Sequence, residues 1–278
     1  MRLAIIGHVE HVTVGRVPAL PGAGDIAHLE TPRWLPGGGG GIAFFQLIRS
    51  PAEVHLFTAL GDDEAAGAVE QRLRATPARL HLAPRATAHT RDLVMVTPDG
   101  ERTIVVVGEP LHPQRNDPLP WEILGSCDAA YFTAQDPEAL SAARAARILV
   151  VTARRREALA RSRVRADVVI GSVSDPREHA RRDDFPEPPG ALVLTAGAEG
   201  GVVETADGTR RFAAPPAAPR GGGAYGAGDS FAGALVYYLA AGLPLLDACT
   251  RAGRHGAAVL ASLDPLEAQL PLPAYAGT

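Results

Sequence analysis

Short apolar runs alternate along the chain with stretches that favour helix. Continuous apolar runs bounded by turn residues are typical of buried strands. They predict strands at Leu3–Ile6, Val54–Phe57, Ala129–Phe132, Ile148–Val151, Val168–Ile170 and Leu192–Thr195. The intervening stretches predict helices at Ile42–Arg49, Asp63–Ala75, Pro137–Ala145, Arg155–Arg161, Asp175–Arg182, 229–241 and Leu245–Leu260. This alternation predicts an α/β fold with a mainly parallel sheet and helices on both of its faces.

Two regions interrupt that alternation. Residues 9–35 and 86–110 are extended and β-prone, with no helix between their strands, and Pro98-Asp99-Gly100 separates two apolar runs as in a hairpin. Such strands fit poorly into a parallel core. We expect them to form a small antiparallel lid over the carboxyl ends of the parallel strands, where open α/β sheets bind ligands. Residues 1–278 are expected to form one domain.

Composition and charge exclude several classes of function. The chain has 278 residues, 46% of them hydrophobic, and a net charge of −4, which argues against a nucleic-acid-binding surface. No apolar run is long enough to span a bilayer, and the first residues read as a strand rather than a signal peptide. Cys127 and Cys249 are too few for a disulfide framework. We therefore expect a cytoplasmic protein that binds neither nucleic acid nor membrane.

The chain contains no lysine, so all 27 of its Lys and Arg residues are arginine. P-loop NTPases and protein kinases need a lysine on the nucleotide phosphates, and pyridoxal-phosphate enzymes need one for the Schiff base. All three classes are excluded. A lysine-free protein must hold a phosphate by other groups.

The segment Gly226-Ala227-Gly228-Asp229 offers such groups. Small residues let the backbone approach a ligand, and at a helix start their amides lack partners and lie at the positive end of the helix dipole. Asp229 is placed to accept a proton from an alcohol. The alternative interpretation is a tight turn followed by an ordinary helix cap.

The surrounding residues resemble the PfkB-type (ribokinase-like) sugar and nucleoside kinases. "AYGAGDSFAGAL" (224–235) resembles the C-terminal signature of that family, and "PGGGGGIAFFQLIRS" (36–50) its Gly-Gly signature. "FTALGDDEAAG" (57–67), "LPGAGDIAH" (20–28) and "VLTAGAEGG" (193–201) resemble three further family blocks. The blocks occur in family order across nearly the whole chain.

The resemblance implies a ribokinase-like fold and transfer of the γ-phosphoryl group of ATP, with Mg²⁺, to a hydroxyl of a sugar or nucleoside. Asp229 would be the base, and the amides of Gly226, Ala227 and Gly228 the anion hole. The remaining roles implied by the resemblance fall on Gly38 and Gly39 for the sugar, Thr195, Gly197, Gly200 and His255 for the nucleotide, and Asp175 and Glu178 for organising magnesium through water. Alternatively, His255 is a histidine on a helix surface, and Asp175 and Glu178 mark an ordinary helix start.

The departures from the family pattern concentrate at the acceptor. Ile42 stands where the family has an asparagine, and Glu10-His11-Val12 stands where it has Asn-x-Asp. Gly223-Ala224 replaces its Asp-Thr, which puts monovalent-cation dependence in doubt. The acids left near the acceptor are Glu10, Asp25 and Asp136, each of which could instead be a solvated loop residue.

A cationic side chain should still assist phosphoryl transfer. By position alone we expect Arg91 or Arg102 of the lid hairpin, while the basic run 154–165 is expected to be a solvated helix face. Two other functions stay open: a catalytically silent relative that binds a nucleotide or sugar, and a kinase of a vitamin-precursor alcohol. Sheet edges of a lid often pair between subunits, which favours a homodimer through the lid.

Overall fold

Residues 1–216 and 221–274 are described by the computed structural model. Within these ranges the strands are β1 (Arg2–Ile6), β2 (Glu10–Arg16), β3 (Glu30–Gly37), β4 (Glu53–Leu60), β5 (Arg79–Pro84), β6 (Arg91–Val96), β7 (Arg102–Val107), β8 (Ala129–Phe132), β9 (Ile148–Thr152), β10 (Val168–Ser172), β11 (Ala191–Thr195), β12 (Gly201–Thr205) and β13 (Gly208–Phe212). Nine of them form a main sheet in the order β13-β12-β11-β10-β9-β8-β1-β4-β5. Its strands from β11 to β5 are parallel, and β12 and β13 add an antiparallel edge.

Helices cover both faces of the main sheet. They are α1 (Gly38–Leu47), α2 (Glu64–Arg74), α3 (Pro137–Ala143), α4 (Arg156–Ser162), α5 (Ala227–Ala240), α6 (Leu245–Ala258) and α7 (Pro265–Ala268). Leu3 and Ile5 of β1 belong to one apolar cluster with α1, α2, α5 and α6, whereas Ala4 and Ile6 belong to a second with α3 and α4. Alternate residues of a strand therefore serve two core layers, as the α/β prediction requires. None of the helices described is both long and apolar enough to cross a bilayer.

The predicted strands are all present, but one predicted helix is wrong. Residues 176–178 form a single turn and no helix follows before Arg182. Asp175 closes that turn, because its carbonyl accepts from the amides of Glu178 and His179 and its carboxylate accepts from the amide of Arg177. Side-chain capping of one turn favours a compact loop over helix propagation.

α1 begins earlier than its apolar pattern indicated, within the run of glycines. A β-carbon at Gly40 would lie 2.6 Å from the carbonyl oxygen of His8 and 3.0 Å from Gly7, so only glycine lets the helix start press against the end of β1. A similar contact joins α1 to α5, where a β-carbon at Gly233 would lie 2.6 Å from the carbonyl of Ala43. The glycines bring the starts of α1 and α5 to the same end of the sheet.

The second sheet, here called the small sheet, has the order β3-β2-β6-β7. Its outer pairs β2–β3 and β6–β7 are antiparallel as expected, and the central pair β2–β6 is parallel. Its strands fall within the two regions that interrupt the alternation, apart from the last two residues of β3. One face is buried through residues such as Val12, Val94 and Leu35, and the opposite face leaves Trp34, Leu93 and Val105 exposed.

β1 lies between β4 and β8, so the order in which strands are added to the main sheet reverses direction beside β1. From β1 the chain proceeds by way of β4 to β5 on one side, and then returns to β8 and continues to β11 on the other. In open α/β sheets a crevice forms at the carboxyl ends of strands at such a switch point, and ligands bind there. His8 follows β1 and Thr133 follows β8, so both lie at this crevice.

Candidate active site

Asp229 lies in the first turn of α5. The helix begins directly after Gly226, whose left-handed φ of 79° turns the chain into the helix. A β-carbon at Gly39, in α1, would stand 3.2 Å from Asp229 Oδ1 and 3.3 Å from Thr133 Oγ1. The carboxylate thus faces the switch-point crevice across a bare stretch of backbone. The sequence prediction placed Asp229 and Gly39 in one site, and the structure brings them together.

Burial raises the pKa of Asp229 to about 6, and the nearby Glu178 adds to this rise. Arg154 and Arg102 oppose it, because their positive charges favour the ionised carboxylate. A base is most effective when its pKa lies near the working pH. Asp229 therefore remains ionised at neutral pH while gaining proton affinity over an ordinary aspartate.

The start of α5 has no side-chain cap among the described residues. The first amides of α5 lack acceptors within the helix. The Ala227 amide makes only a long, weak hydrogen bond of 3.5 Å to the Ala224 carbonyl. A β-carbon at Gly228 would meet no atom within 4 Å, so the space before this turn is open. The amides near Gly226, Ala227 and Gly228 have the geometry of an anion site, with Gly226 acting as the turn residue.

Arg154 lies where the sequence suggested only a solvated helix face. Its guanidinium group donates to the carboxylates of both Asp175 and Glu178, and its charge lowers the pKa of Asp229. The three residues come from the ends of β9 and β10, next to the crevice. Arg154 was therefore missed, because a run of arginines in a helical stretch reads as surface in the sequence.

Arg155 was missed for the same reason. Its Nε donates to the Thr133 carbonyl at 2.8 Å, and its guanidinium is largely buried beside Tyr131 and Glu10. Its charge lowers the pKa of His8 and of His112. The 3-10 turn Ala153–Arg155 directs both arginines toward the strand ends before α4 begins.

The lid arginines differ in position. Arg91 is paired with Asp63 at 2.8 Å, away from the base. Arg102 of β7 pairs with Val96 and so lies on the same face of the small sheet as that buried residue. Its charge lowers the pKa of Asp229. Of the two residues expected from position alone, the structure brings only Arg102 near the base.

Glu10 is the acceptor-side acid that reaches the site. It is 6% exposed, and a β-carbon at Gly38 would stand 2.9 Å from Glu10 Oε2. Burial, followed by the nearby Asp92 carboxyl of β6, raises the pKa of Glu10 well above its usual range. Gly38 itself has a φ of 76° and donates its amide to the Tyr225 hydroxyl at 3.3 Å. Gly38, Glu10 and the Asp229 turn are thereby linked.

Asp25 and Asp136 are not brought into this cluster. Asp25 is exposed in the loop between β2 and β3, where it accepts from the Gly22 amide. Asp136 caps α3 through the Glu138 amide and also accepts from the Arg115 amide at 2.6 Å, so its carboxylate is already occupied. The expectation that these two acids contact the acceptor stays a prediction.

The residues expected to contact the nucleotide are Thr195, Gly197, Gly200 and His255, and they lie in two different parts of the structure. Thr195 ends β11, and Gly197 and Gly200 follow with φ of 55° and 83°. A β-carbon at Gly200 would lie 2.1 Å from the Phe212 carbonyl, which explains the glycine as a packing requirement. His255 is only 3% exposed and its Nε2 pairs with the Tyr238 hydroxyl at 3.0 Å, so it lies in the core and an adenine contact is not supported.

The role of Asp175 and Glu178 in organising magnesium through water stays a prediction. Both carboxylates are ion-paired with Arg154. Among residues 1–216 and 221–274 no group of three or more possible metal-ligating His, Cys, Asp or Glu side chains is found. Magnesium usually keeps several waters and is held largely by substrate phosphates, so we treat it as part of the nucleotide substrate.

Comparison with solved structures decides the fold. A protein from Agrobacterium tumefaciens provisionally called a ribokinase is 19% identical, with a TM-score of 0.80 over 96% of this chain and 94% of that chain. Ribokinase from Thermotoga maritima is 14% identical, with a TM-score of 0.76 over 98% and 96%. This chain has the ribokinase-like fold. Adenosine kinase from Sinorhizobium meliloti matches as well, at 17% identity and a TM-score of 0.72 over 95% and 94%.

A sequence comparison supports the resemblance over the last third of the chain. The model of the pfkB family of carbohydrate kinases matches residues 185–270, which contain Thr195, Gly200 and the whole of α5. A comparison with curated proteins finds no significant match. The match to that family model therefore includes the start of α5 and Asp229, whereas the small sheet lies outside the matched range.

Proposed function

We propose that this ribokinase-like protein transfers the γ-phosphoryl group of ATP to an alcohol of a small sugar, sugar derivative or nucleoside. The observation that carries the proposal is the position of Asp229, which combines a raised pKa with a place between the open amides of α5 and the switch-point crevice. The similar structures of ribokinases and an adenosine kinase support the same class of reaction.

In the proposed reaction Asp229 accepts the proton of the acceptor hydroxyl. The alcohol oxygen forms a bond to the γ-phosphorus as the bond from that phosphorus to the β,γ-bridging oxygen breaks, and ADP leaves with the bridging oxygen. Catalysis of such transfers depends mainly on positioning and on neutralising charge. The amides at the start of α5 would face the phosphoryl group while the carboxylate faces the alcohol.

Arg154 is the proposed source of the positive charge that a lysine supplies in other kinases. Without substrate it is held by Asp175 and Glu178, next to Asp229. A guanidinium can move from one acidic partner to another, and phosphate oxygens accept its planar fork well. Arg102, which projects inward from the small sheet, is the second candidate.

We further propose that the small sheet serves as a lid and as a dimer surface. Its inward face carries Glu10, Asp92 and Arg102 over the site, so closure would exclude water from the phosphoryl group. Its outward face presents Trp34, Leu93 and Val105, all more than a third exposed, in one row across the sheet in which Thr13 of β2 separates Trp34 from Leu93. A second copy of this chain is the proposed partner for these exposed apolar side chains.

The test is acceptor-dependent phosphorylation. We expect ADP to form from Mg·ATP only when one of a panel of sugars, nucleosides and vitamin-precursor alcohols is present, with a phosphorylated product of matching mass. ATP binding by calorimetry without turnover on any alcohol would instead favour a silent binding protein, an alternative suggested by the two carboxylates already paired with Arg154.

A further inference from the structure

The carboxylate of Asp229 is not oriented by a hydrogen-bonding partner. Among the residues that the structure describes, it accepts no hydrogen bond and forms no ion pair, and only burial and more distant charges act on its pKa. Its direction therefore depends on where the backbone of the first turn of α5 lies. Whatever fixes that turn also fixes the proposed base.

Residues 264–273, which follow α6 and include α7, pack against α1. The Gln46 side-chain amide donates to the Leu270 carbonyl at 2.8 Å, and the Leu272 amide donates to the Arg49 carbonyl at 3.0 Å. These bonds attach the 264–273 segment to the far part of α1 and the residues directly after it.

The same segment reaches the turn that begins α5. A β-carbon at Gly226 would lie 2.9 Å from Pro265 Cβ, so Pro265 packs closely on the glycine that turns the chain into the helix. Asp264 caps α7 through the Leu266 amide at 2.8 Å, which fixes Pro265 at the start of that helix. The turn of the proposed anion site thus packs directly against the 264–273 segment.

One side chain of this segment bonds to both helix starts. Gln269 is 3% exposed, and its Nε2 donates to the Ile42 carbonyl of α1 at 2.9 Å and to the Ser230 hydroxyl of α5 at 3.1 Å. A backbone carbonyl only accepts, so the nitrogen of the carboxamide has to face Ile42. Both hydrogens of that nitrogen are used, one on each helix.

These two contacts lie next to the reacting groups. Ser230 is fully buried and directly follows Asp229 in the chain. Ile42 belongs to the same helix as Gly39, where a β-carbon would stand 3.2 Å from Asp229 Oδ1. The bonds of Gln269 therefore set the spacing between the carboxylate and the stretch of α1 that it faces.

We propose that Gln269 is a positioning residue for phosphoryl transfer. Through Ser230 and the Ile42 carbonyl it holds the first turn of α5, and with it Asp229, against the start of α1. The inference rests on the proposed kinase function. A displacement of about 1 Å between reacting groups can slow a reaction about 10²-fold, so a contact that sets this spacing affects the rate without touching the acceptor or the nucleotide.

Gln46 is the matched control. It is also a buried glutamine whose Nε2 donates to a backbone carbonyl, and the Oε1 atoms of both glutamines are buried without a partner among the described residues. The Gln46 amide attaches the 264–273 segment to α1 but makes no bond to the start of α5. Methionine at either position removes the amide with little change in volume.

The first experiment measures steady-state kinetics with Mg·ATP and the best alcohol of the panel. Gln269→Met should lower kcat about tenfold and change both KM values less than about threefold, because the base is displaced while the binding groups remain. Gln46→Met should lower the melting temperature by a similar amount and keep kcat within about twofold of wild type. Equal kcat values for the two variants would overturn the inference.

The second experiment removes only the α5 end of the link. Ser230→Ala should lower kcat in the same direction as Gln269→Met. Adding Gln269→Met to Ser230→Ala should then lower kcat by a smaller factor than Gln269→Met does alone, because both changes act on one contact. Fully multiplicative effects would show that Gln269 does not act through Ser230.

Amide hydrogen exchange gives a readout that needs no substrate. Peptides covering the start of α5 should exchange faster in Gln269→Met than in Gln46→Met. If the wild-type chain phosphorylates no alcohol but this difference is seen, the kinase assignment is wrong and the positioning of α5 by Gln269 stands. If the wild-type chain is active and the two variants exchange equally at α5, the kinase assignment stands and the positioning role is wrong.

Discussion

The phosphoryl side and the acceptor side of the site are built in different ways. On the proposed phosphoryl side the start of α5 offers backbone amides, and its turn depends on the left-handed φ of Gly226. On the proposed acceptor side the side chains of His8, Glu10, Asp92 and His112 come from three separate stretches of the chain. A site formed by backbone amides can be recognised from a contiguous sequence motif. A site formed by side chains from distant parts of the chain has no such motif.

Apart from the proposed base itself, the largest effect is expected at Arg154, on the phosphoryl side. Arg154→Gln should lower kcat about 10²-fold with a smaller change in acceptor KM, because a charge that acts on the transferring group is lost. The same change should shift the acid limb of the rate profile to higher pH, since Arg154 lowers the pKa of Asp229. Steady-state kinetics from pH 5 to 8 would measure both.

Arg161→Gln is the matched control, because Arg161 is an exposed arginine of α4 with one weak 3.9 Å contact to Glu157. If the two variants gave the same kcat, Arg154 would have no part in phosphoryl transfer.

Gly39 lies where the two sides meet and tests whether they share one cavity. Gly39→Ala should reduce kcat/KM by about tenfold or more, because the added methyl would stand 3.2 Å from Asp229 Oδ1 and displace acceptor and base together. The melting temperature should change little, since the neighbouring atoms are side-chain ends.

Gly67→Ala provides the comparison in α2, where a β-carbon would meet no atom within 4 Å. It should stabilise the fold by about 0.5–1 kcal/mol without affecting turnover. Unchanged kinetics in Gly39→Ala would show that acceptor and base do not meet at this glycine.

The pH profile separates the two sides by their ionisation. Below about pH 6 the carboxylate of Asp229 gains a proton, so kcat/KM should fall about tenfold per pH unit as that base is lost. His8 and His112 stay neutral down to low pH and should add no step near neutrality. A histidine-like step in acceptor binding between pH 6 and 7 would contradict the assigned charge states.

The smallest effect on catalysis is expected on the outer face of the small sheet. Val105→Asp places a charge in the exposed apolar row and should convert a dimer into a monomer in analytical ultracentrifugation, with kcat for the acceptor changed less than about twofold. Thr209→Asp, on the exposed strand β13, should leave the assembly unchanged. A wild-type chain that is monomeric at micromolar concentration would refute the proposed dimer surface.

Local pattern was enough for six of the nine strands of the main sheet and for the Asp229 turn, but it missed β5, β12 and β13. Each of those six strands contains a continuous apolar run, and Gly226 to Asp229 are adjacent in the chain, so no long-range information was needed. The helix expected at Asp175–Arg182 does not form. The Asp175 carboxylate instead accepts from the Arg177 amide in a local turn and pairs with Arg154, which is distant in sequence.

The remaining site residues depend on tertiary contacts. Arg154 and Arg155 look like surface residues until the turn at Ala153–Arg155 directs them to the strand ends. His112 lies in a loop without periodicity, where Arg85, paired with Asp117, donates to the His112 carbonyl. His255 shows the opposite case: it follows the motif in sequence, yet its pairing with Tyr238 places it in the core.

The most direct measurement compares Asp229→Asn with Asp247→Asn, two aspartates in the first turns of α5 and α6. Loss of the base should lower kcat about 10²–10⁴-fold, while the exposed Asp247 should be replaceable without loss.

Asp229→Asn should also raise the free energy of unfolding at pH 7 by about 1–3 kcal/mol. The folded-state pKa of about 6 lies above that of an unfolded aspartate, so the ionised carboxylate opposes folding as pH rises through that window. An inactive, more stable Asp229→Asn beside an unaltered Asp247→Asn is the predicted result. An Asp229→Asn variant whose kcat stays within about tenfold of wild type would contradict the assignment of Asp229 as the base.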